Sequence, residues 1–313
     1  MKLKLLKLGL FLMTLSFVII SCNDDDDQDI TVVLRDRTEQ QVADNDSILD
    51  YLSSNYYNSS FFETGTNHKY TDIIITELEE GEAVPDGHTL LLDAVGPALT
   101  TTFEDATYEY YVLRLNEGGG ESPKFTDQVR VRYEGFLEDT GDVFDGVTTP
   151  IDLRMQQSLG LSGGGVIRGW QLILSDFNTS SDFTTNNGVV EFDDFGLGVM
   201  FLPSGLGYFG IPVAGVPAYS NLIFKFELLQ FEEEDHDGDG IPSYLEDLDS
   251  SMDVLDDDTD EDQLPNYLDF DDDGDGVATV NEDIDGDGDP TNDIGANGIP
   301  RYLDPEETDS NDE

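Results

Sequence analysis

The sequence predicts an α+β protein in which several antiparallel strands and one short helix form the central domain, and three observations predict it. Val129-Arg130-Val131-Arg132-Tyr133 alternates apolar and polar residues, and a second alternating run covers residues 221–229; period two is the mark of half-buried strands. Val166-Ile167-Arg168-Gly169-Trp170 places β-branched residues, a turn glycine and the chain's only tryptophan at a strand-to-helix junction. Residues 233–313 repeat a small acidic unit that fits neither period, which sets them apart as a tail.

The chain has 313 residues, enough for two or three units and a sizeable core. Its 69 acidic and 14 basic residues give a net charge of −55, which argues against nucleic acid as a partner because the phosphate backbone would be repelled. The charge is concentrated at the end: residues 232–313 contain 33 of the acidic side chains and a single base, Arg301. Such a segment collapses only when cations neutralise it.

The first segment, residues 1–22, reads as an export signal. Lys2, Lys4 and Lys7 precede an uncharged apolar run at 8–20, too short to span a bilayer and suited to a signal peptide. The run ends Val18-Ile19-Ile20-Ser21-Cys22, similar to the lipobox of bacterial lipoproteins, which implies lipidation of Cys22 and a membrane anchor. Cys22 is the sole cysteine, so no disulfide forms within the chain. Residues 23–37 read as an acidic tether, and its Asp run at 24–27 resembles the signal that sends some Gram-negative lipoproteins to the cell surface. The implied location is the outer membrane, on its periplasmic or cell-surface face.

Residues 38–104 read as an accessory region. A short helix is expected at Ser47-Ile48-Leu49-Asp50-Tyr51-Leu52, capped by Asp46 or Ser47, because Ile48, Leu49, Tyr51 and Leu52 recur with helical spacing. Ile73-Ile74-Ile75 and Leu90-Leu91-Leu92 are expected as short buried strands around a Pro85-Asp86-Gly87 turn. The region is expected to pack on the next domain or to extend its substrate surface.

In residues 105–232, a strand at 108–115, the strand at 129–133, a turn at Glu138-Asp139-Thr140-Gly141 and the strand at 221–229 surround the helix that starts near Gly169. Tyr133-Glu134-Gly135, Phe144-Asp145, Val166-Ile167-Arg168-Gly169-Trp170, Pro203-Ser204-Gly205-Leu206-Gly207-Tyr208 and Leu222-Ile223-Phe224 together resemble the FKBP-type peptidyl-prolyl cis-trans isomerases in order and approximate spacing. The resemblance implies a curved antiparallel sheet wrapped on a short helix, with a proline pocket between them. Its lining would be Tyr133, Phe144, Asp145, Val166, Ile167, Trp170, Tyr208 and Phe224. It further implies that the Ile167 N–H and the Tyr208 hydroxyl hold substrate carbonyls. The pattern departs from the family at Ile151 or Leu153, in place of an aromatic wall, at Gly146-Val147, at a glycine-rich insertion over 160–165, at a long polar loop over 175–188 and at Phe209.

In residues 233–313, Ile241-Pro242-Ser243-Tyr244-Leu245-Glu246 recurs as Leu264-Pro265-Asn266-Tyr267-Leu268-Asp269 and as Ile299-Pro300-Arg301-Tyr302-Leu303-Asp304. Each copy completes a twelve-residue loop with oxygen ligands at alternate positions, the spacing by which a chain encircles calcium. Asp235, Asp237, Asp239 and Glu246 make one full match around Gly240, and Asp271, Asp273, Asp275 and Glu282 another around Gly276. Asp258, Asp260, Asp262 and Asp269 make a third, with Gln263 in the glycine place and a more strained turn. Asp283, Asp285 and Asp287 begin a loop that lacks a final carboxylate and must borrow ligands; Asp293, Asn297, Gly298 and Asp304 form the poorest copy. Pro242, Pro265 and Pro300 occupy the position through which paired EF-hands exchange backbone bonds, so no EF-hand pairing is expected. The spacing resembles thrombospondin type 3 calcium repeats.

These readings lead to an exported peptidyl-prolyl isomerase acting on proline-containing exported polypeptides, with no cofactor for catalysis and calcium in the tail. The alternative is a surface binding or adhesion module that grips proline without turnover.

Overall fold

A computed structural model describes residues 34–157 and 165–311. The export signal, Cys22, most of the acidic tether and most of the glycine-rich insertion lie outside the described residues. Residues from Arg35 onward group into one unit.

Helix α1 (Arg37–Ser54) is capped by Asp36, whose carboxylate accepts the Glu39 N–H at 2.9 Å. It starts ten residues before the helix expected from the sequence, and the cap is not Asp46 or Ser47. The reason is the make-up of its buried stripe: Gln40, Gln41 and Asp44 precede Ile48 and Leu52, so apolar periodicity marks only the second half. Strands β1 (Asn55–Tyr57), β2 (Ile75–Glu77) and β3 (Thr89–Leu90) form a small antiparallel sheet in the order β2-β1-β3. Of the expected strand at 73–75 only Ile75 pairs, and Leu91 and Leu92 enter the one-turn helix α2 (Leu91–Ala94). The turn before β3 is present: Gly87 has φ +79° and the His88 N–H donates to the Pro85 carbonyl.

The main sheet comprises β4 (Leu99–Phe103), β5 (Ala106–Asn116), β6 (Gln128–Leu137) and β7 (Val143–Arg154), then, beyond helix α3 (Arg168–Leu174) and the hairpin β8 (Asp182–Asn186) and β9 (Val189–Asp193), β10 (Gly196–Leu202) and β11 (Leu222–Glu232). Its six strands run in the order β4-β5-β10-β11-β6-β7, antiparallel throughout. β4 falls within the stretch read from sequence as accessory, yet it pairs along its length with β5 across the two-residue turn Glu104-Asp105 (φ 45° and 62°). The stretch at 175–188, expected as a polar loop, instead enters the β8–β9 hairpin through Asn187-Gly188. Every residue of β8 is exposed, so no apolar alternation advertised it.

Both faces of the sheet are covered. On one, α3 packs Trp170, Ile173 and Leu174 against Tyr108, Val131, Tyr133, Phe224 and Phe226. On the other, Ile48, Leu52, Tyr70, Ile73 and Leu91 of the accessory region meet Leu113, Val199, Phe201 and Ile223. This double burial explains why β10 is buried at every residue and reads as an unbroken apolar run. Each large side chain so enclosed contributes about 1.5–3 kcal/mol. The accessory region is thus the second layer of the domain.

The tail winds through a series of short 3-10 turns, among them Ser243–Glu246, Asn266–Leu268 and Arg301–Leu303. It docks beside α3, where Tyr267 packs with Phe125 and Val254 and hydrogen bonds both Gln156 and Gln157 at 3.2 Å.

Candidate functional site

Three local devices assemble an aromatic cleft between α3 and the sheet. β6 carries Tyr133 and, two residues on, Gly135; an added Cβ there would lie 2.5 Å from Cε1 of Phe224. That missing side chain lets the Phe224 ring, projected from β11, lie across the neighbouring strand. Gly169 does the same for the helix, since a Cβ would meet Leu202 at 2.4 Å. Close approach of α3 to β10 seats Trp170 under the cleft. The residue ahead of α3, Ile167, is extended (φ −63°, ψ 154°), which turns the chain sharply from Val166 into the helix.

The cleft has a volume of about 150 Å³ and is lined by Tyr133, Asp145, Leu153, Gly165, Val166, Ile167, Trp170, Tyr208 and Phe224. Trp170 is 4 % exposed, yet it forms part of this open lining. Its ring stands edge-to-face with Tyr133 and with Phe224, both at 5.2 Å between centroids. Such T-shaped contacts lock the walls against each other. Of the eight residues expected from the sequence, seven line the cleft. The eighth, Phe144, stands behind Phe224 at 5.5 Å, edge-on, and buttresses that wall. Leu153 occupies an aliphatic wall position and Gly165 part of the rim; Gly165 carried no signal that sequence reasoning could use.

The polar side is made by Asp145, Tyr133 and Tyr208. The Tyr133 hydroxyl donates to Asp145 Oδ2 at 2.6 Å, and the Gly146 N–H donates to Asp145 Oδ1 at 2.8 Å. Burial, and then the bond to Asp145, pushes the Tyr133 phenol well above its ordinary pKa. Burial, followed by the Asp145 charge, raises that of Tyr208 as well. Both phenols are therefore held as neutral hydrogen-bond donors. Tyr208 is positioned from below: Asp44 of α1 accepts the Ser204 hydroxyl at 2.6 Å and the Ser204 N–H at 2.9 Å, fixing the turn Ser204–Leu206 that precedes it. Phe209, the departure from the family pattern, takes a left-handed φ of +46° and is clamped between the Tyr219 ring and the Arg37 guanidinium.

The tail gathers a second set of functional groups. Carboxylate oxygens of Asp235, Asp237 and Asp239 approach one another within 4.8 Å, as do those of Asp258, Asp260 and Asp262 and of Asp271, Asp273 and Asp275. Asp239 and Glu246 also meet Asp272, a residue the sequence reading did not single out, and all three are buried. Neither oxygen of Glu246 or of Glu282 has a hydrogen-bond partner, though each residue is at most 1 % exposed. Burial, and then the charge of Asp237, pushes Glu246 up to about 11; burial, and then Asp239, pushes Asp272 up to about 9. Buried anions this close demand a compensating cation or proton.

The individual loops follow the expected spacing with informative exceptions. Gln263, in the glycine place, takes φ +81° where Gly240 and Gly276 take +99° and +93°. Asp269 accepts the Asp271 N–H, linking the third loop to the next. The loop of Asp283, Asp285 and Asp287 lies beside Asp293, whose carboxyl is raised by burial and then by the Asp285 charge. Asp304 accepts from the Asn297 side-chain amide. Among the described residues no β-bridge joins one loop to another; the Ile294–Pro300 bridge lies within a single copy. What sequence reasoning missed is a further loop at Asp247 and Asp249, twelve residues after Asp235, hidden by Ser251 and Met252 in the ligand and glycine places.

Sheet, helix and cleft thus define a class: an α+β domain whose antiparallel sheet closes on the short helix α3 over an aromatic groove. The sequence matches no protein-family model. Among solved structures it is similar to a peptidyl-prolyl cis-trans isomerase from Pseudomonas syringae pv. tomato, with 25 % identity, 40 % of this chain and 76 % of that one covered, and a TM-score of 0.30. For FkpA from Escherichia coli the identity is 28 %, the coverage 42 % and 51 %, and the TM-score 0.31, so the chain spans about half of that protein. For the N-terminal domain of FKBP42 from Arabidopsis thaliana they are 14 %, 44 % and 94 %, and 0.31. No helix of the described residues is long and apolar enough to cross a membrane.

Proposed function

We propose that the chain is a peptidyl-prolyl cis-trans isomerase of exported proteins, lipid-anchored through Cys22 at the outer membrane and carrying a calcium-stiffened tail. The observation that carries this reading is the convergence of Tyr133, Asp145, Val166, Ile167, Trp170, Tyr208 and Phe224, scattered over more than ninety residues, on one cleft floored by the indole.

The chemistry follows from the amide. Rotation about an X-Pro bond is opposed by loss of resonance, a barrier of about 20 kcal/mol, and no covalent step is needed to lower it. The twisted amide has less charge separation than the planar one, so a water-poor aromatic cleft disfavours the ground state more than the transition state. In this reading the pyrrolidine ring rests on Trp170 between Tyr133 and Phe224. The Ile167 N–H and the Tyr208 hydroxyl hold flanking carbonyls, and Asp145 orients the Tyr133 wall. No cofactor takes part.

Calcium in the tail is supported by the unpartnered, buried oxygens of Glu246 and Glu282 and by the meeting of Asp239, Glu246 and Asp272. Hard oxygen donors at this density suit calcium's loose coordination better than zinc's or magnesium's. The anchor is supported by the basic, apolar and Ser-Cys pattern of residues 1–22.

Leu153, an aliphatic wall, favours a second reading: a module that binds proline segments without turning them over. Exchange spectroscopy on an Ala-Pro peptide separates the two. An isomerase at substoichiometric amounts produces cis–trans exchange peaks that disappear in Trp170→Ala, whereas a binding module broadens the peptide signals without producing exchange.

A further inference from the structure

The loop that sequence reasoning missed touches the helix of the cleft. Asp247, Asp249 and Asp257 bring carboxylate oxygens within 4.8 Å of one another. Asp257 is 9 % exposed, its carboxylate takes the Leu248 N–H, and its Oδ2 makes no hydrogen bond. A buried oxygen left unpartnered among like charges calls for a positively charged partner. Among the described residues no lysine or arginine lies within ion-pair distance of these carboxylates; Arg168 reaches the loop's carbonyls instead.

The backbone of this segment follows that of three neighbouring loops. In each, the N–H of the sixth residue donates to the carboxylate of the first: Gly240 to Asp235 at 3.1 Å, Gly276 to Asp271 at 3.2 Å and Gly288 to Asp283 at 2.8 Å. Met252 donates to Asp247 at 2.8 Å in the same way, and takes the left-handed φ of +60° that glycine supplies elsewhere. That conformation is unfavourable for a methionine.

Between the first and last acids of the loop, the carbonyls of Ser251 and Met252 both accept from the Arg168 guanidinium, the former at 3.2 Å. Arg168 is buried and opens α3; Ile167 precedes it, and Trp170 follows two residues later. The same guanidinium holds Gln171, whose amide grips the Met155 carbonyl at 2.9 Å.

We propose that Asp247, Asp249 and Asp257 bind a calcium ion, and that this ion, by fixing the Ser251 and Met252 carbonyls on Arg168, sets the position of α3 and hence of Trp170 in the cleft. The inference rests on the reading of the tail as calcium-binding and is independent of turnover. Hard divalent cations are the class required, because every donor is oxygen. Arg168 acts here as a positioning residue.

The test uses the full chain, calcium alone as ligand, and the emission of Trp170, the only tryptophan. Equilibrium dialysis counts ions while fluorescence follows the indole. Wild type should shift its emission on calcium addition. Asp257→Asn and the exposed-site variant Asp249→Asn should each bind one ion fewer and lose the shift. Arg168→Lys should keep the ion count and lose the shift, while Glu282→Gln should lose an ion and keep it. The proposal is overturned if both Asp variants retain the wild-type ion count, if they lose an ion but keep the shift, or if Glu282→Gln abolishes it. Wild type binding no calcium at all would overturn the tail reading along with it. Calcium binding with an unmoved indole would overturn only the coupling. Far-ultraviolet circular dichroism identifies any variant that has unfolded, and Asp249, on the surface, is the substitution least able to cause that.

Discussion

The Tyr133 hydroxyl donates to Asp145 Oδ2 at 2.6 Å, joining the second residue of the Phe144-Asp145 pair on β7 to the cleft wall on β6. A charged acceptor shortens and strengthens such a bond, but Asp145 is exposed, so water competes for it and its net contribution to folding is small. Tyr133→Phe and Asp145→Ala should therefore each lower kcat/KM about 10-fold or more while the thermal midpoint changes little, since Asp145 is exposed. Equal losses in both single variants and no further loss in the double variant would identify the bond, and not either side chain alone, as the active element.

The same bond fixes a pH dependence. Burial and Asp145 raise the Tyr133 phenol above its ordinary value, so the donor stays protonated beyond the pH at which a free tyrosine ionises. Activity should be flat from pH 7 to about 10, near the ordinary tyrosine pKa. A fall to about half activity by pH 10 in wild type, absent in Tyr133→Phe, would show an ordinary phenol instead.

Gly135→Ala tests the cleft's construction. The added methyl group would lie 2.5 Å from the Phe224 ring, so the ring must turn into the cleft or the strands must part. The expected result is a rise in KM for a proline peptide and a stability loss of about 1–3 kcal/mol by denaturant titration. A variant with unchanged KM would place substrate elsewhere.

Asp44→Ala tests the layer that supports Tyr208. Its carboxylate serves the hydroxyl and the N–H of Ser204 and the Gln40 amide, all buried, and removal strands them. Destabilisation of about 2 kcal/mol or more is expected, with a reduced kcat in the variant that remains folded. Chemical denaturation and peptide turnover on the same preparation check both.

In the tail, acid should act in opposite directions with and without calcium. Burial, and then the charge of Asp237 or of Asp273, raises Glu246 to about 11 and Glu282 to about 8 from an ordinary 4.5. Raised carboxyls favour the protonated folded form. Without metal, their contribution is complete below pH 4.5 and is lost as pH rises toward 8 and above. With calcium bound, the carboxylates must be ionised, so stability rises with pH. Thermal scans at pH 5 and 8, in EDTA and in calcium, should show the crossing; a calcium-independent midpoint at both pH values would contradict it.

The cleft was legible in the sequence because its parts are short linked motifs, and five of them bring seven of the expected lining residues together. Phe144 illustrates the limit: a motif names a neighbour as readily as a wall. α1 was legible only from Ile48, because a helix that buries Gln40, Gln41 and Asp44 hides its face from any hydrophobic pattern. β10 concealed its strand period for the opposite reason, being enclosed on both sides. The loop at Asp247 stayed hidden because Met252 replaces the glycine by which such loops are recognised.

The most direct test of the central claim is the cis-to-trans rate of a proline peptide, measured by chymotrypsin-coupled release with the full chain in catalytic amounts. The predicted result is a first-order rate that rises linearly with protein concentration and falls about 10-fold or more in Asp145→Val. A rate fixed at the uncatalysed value at every concentration, with the peptide nonetheless bound, would contradict it and leave the cleft a binding site alone.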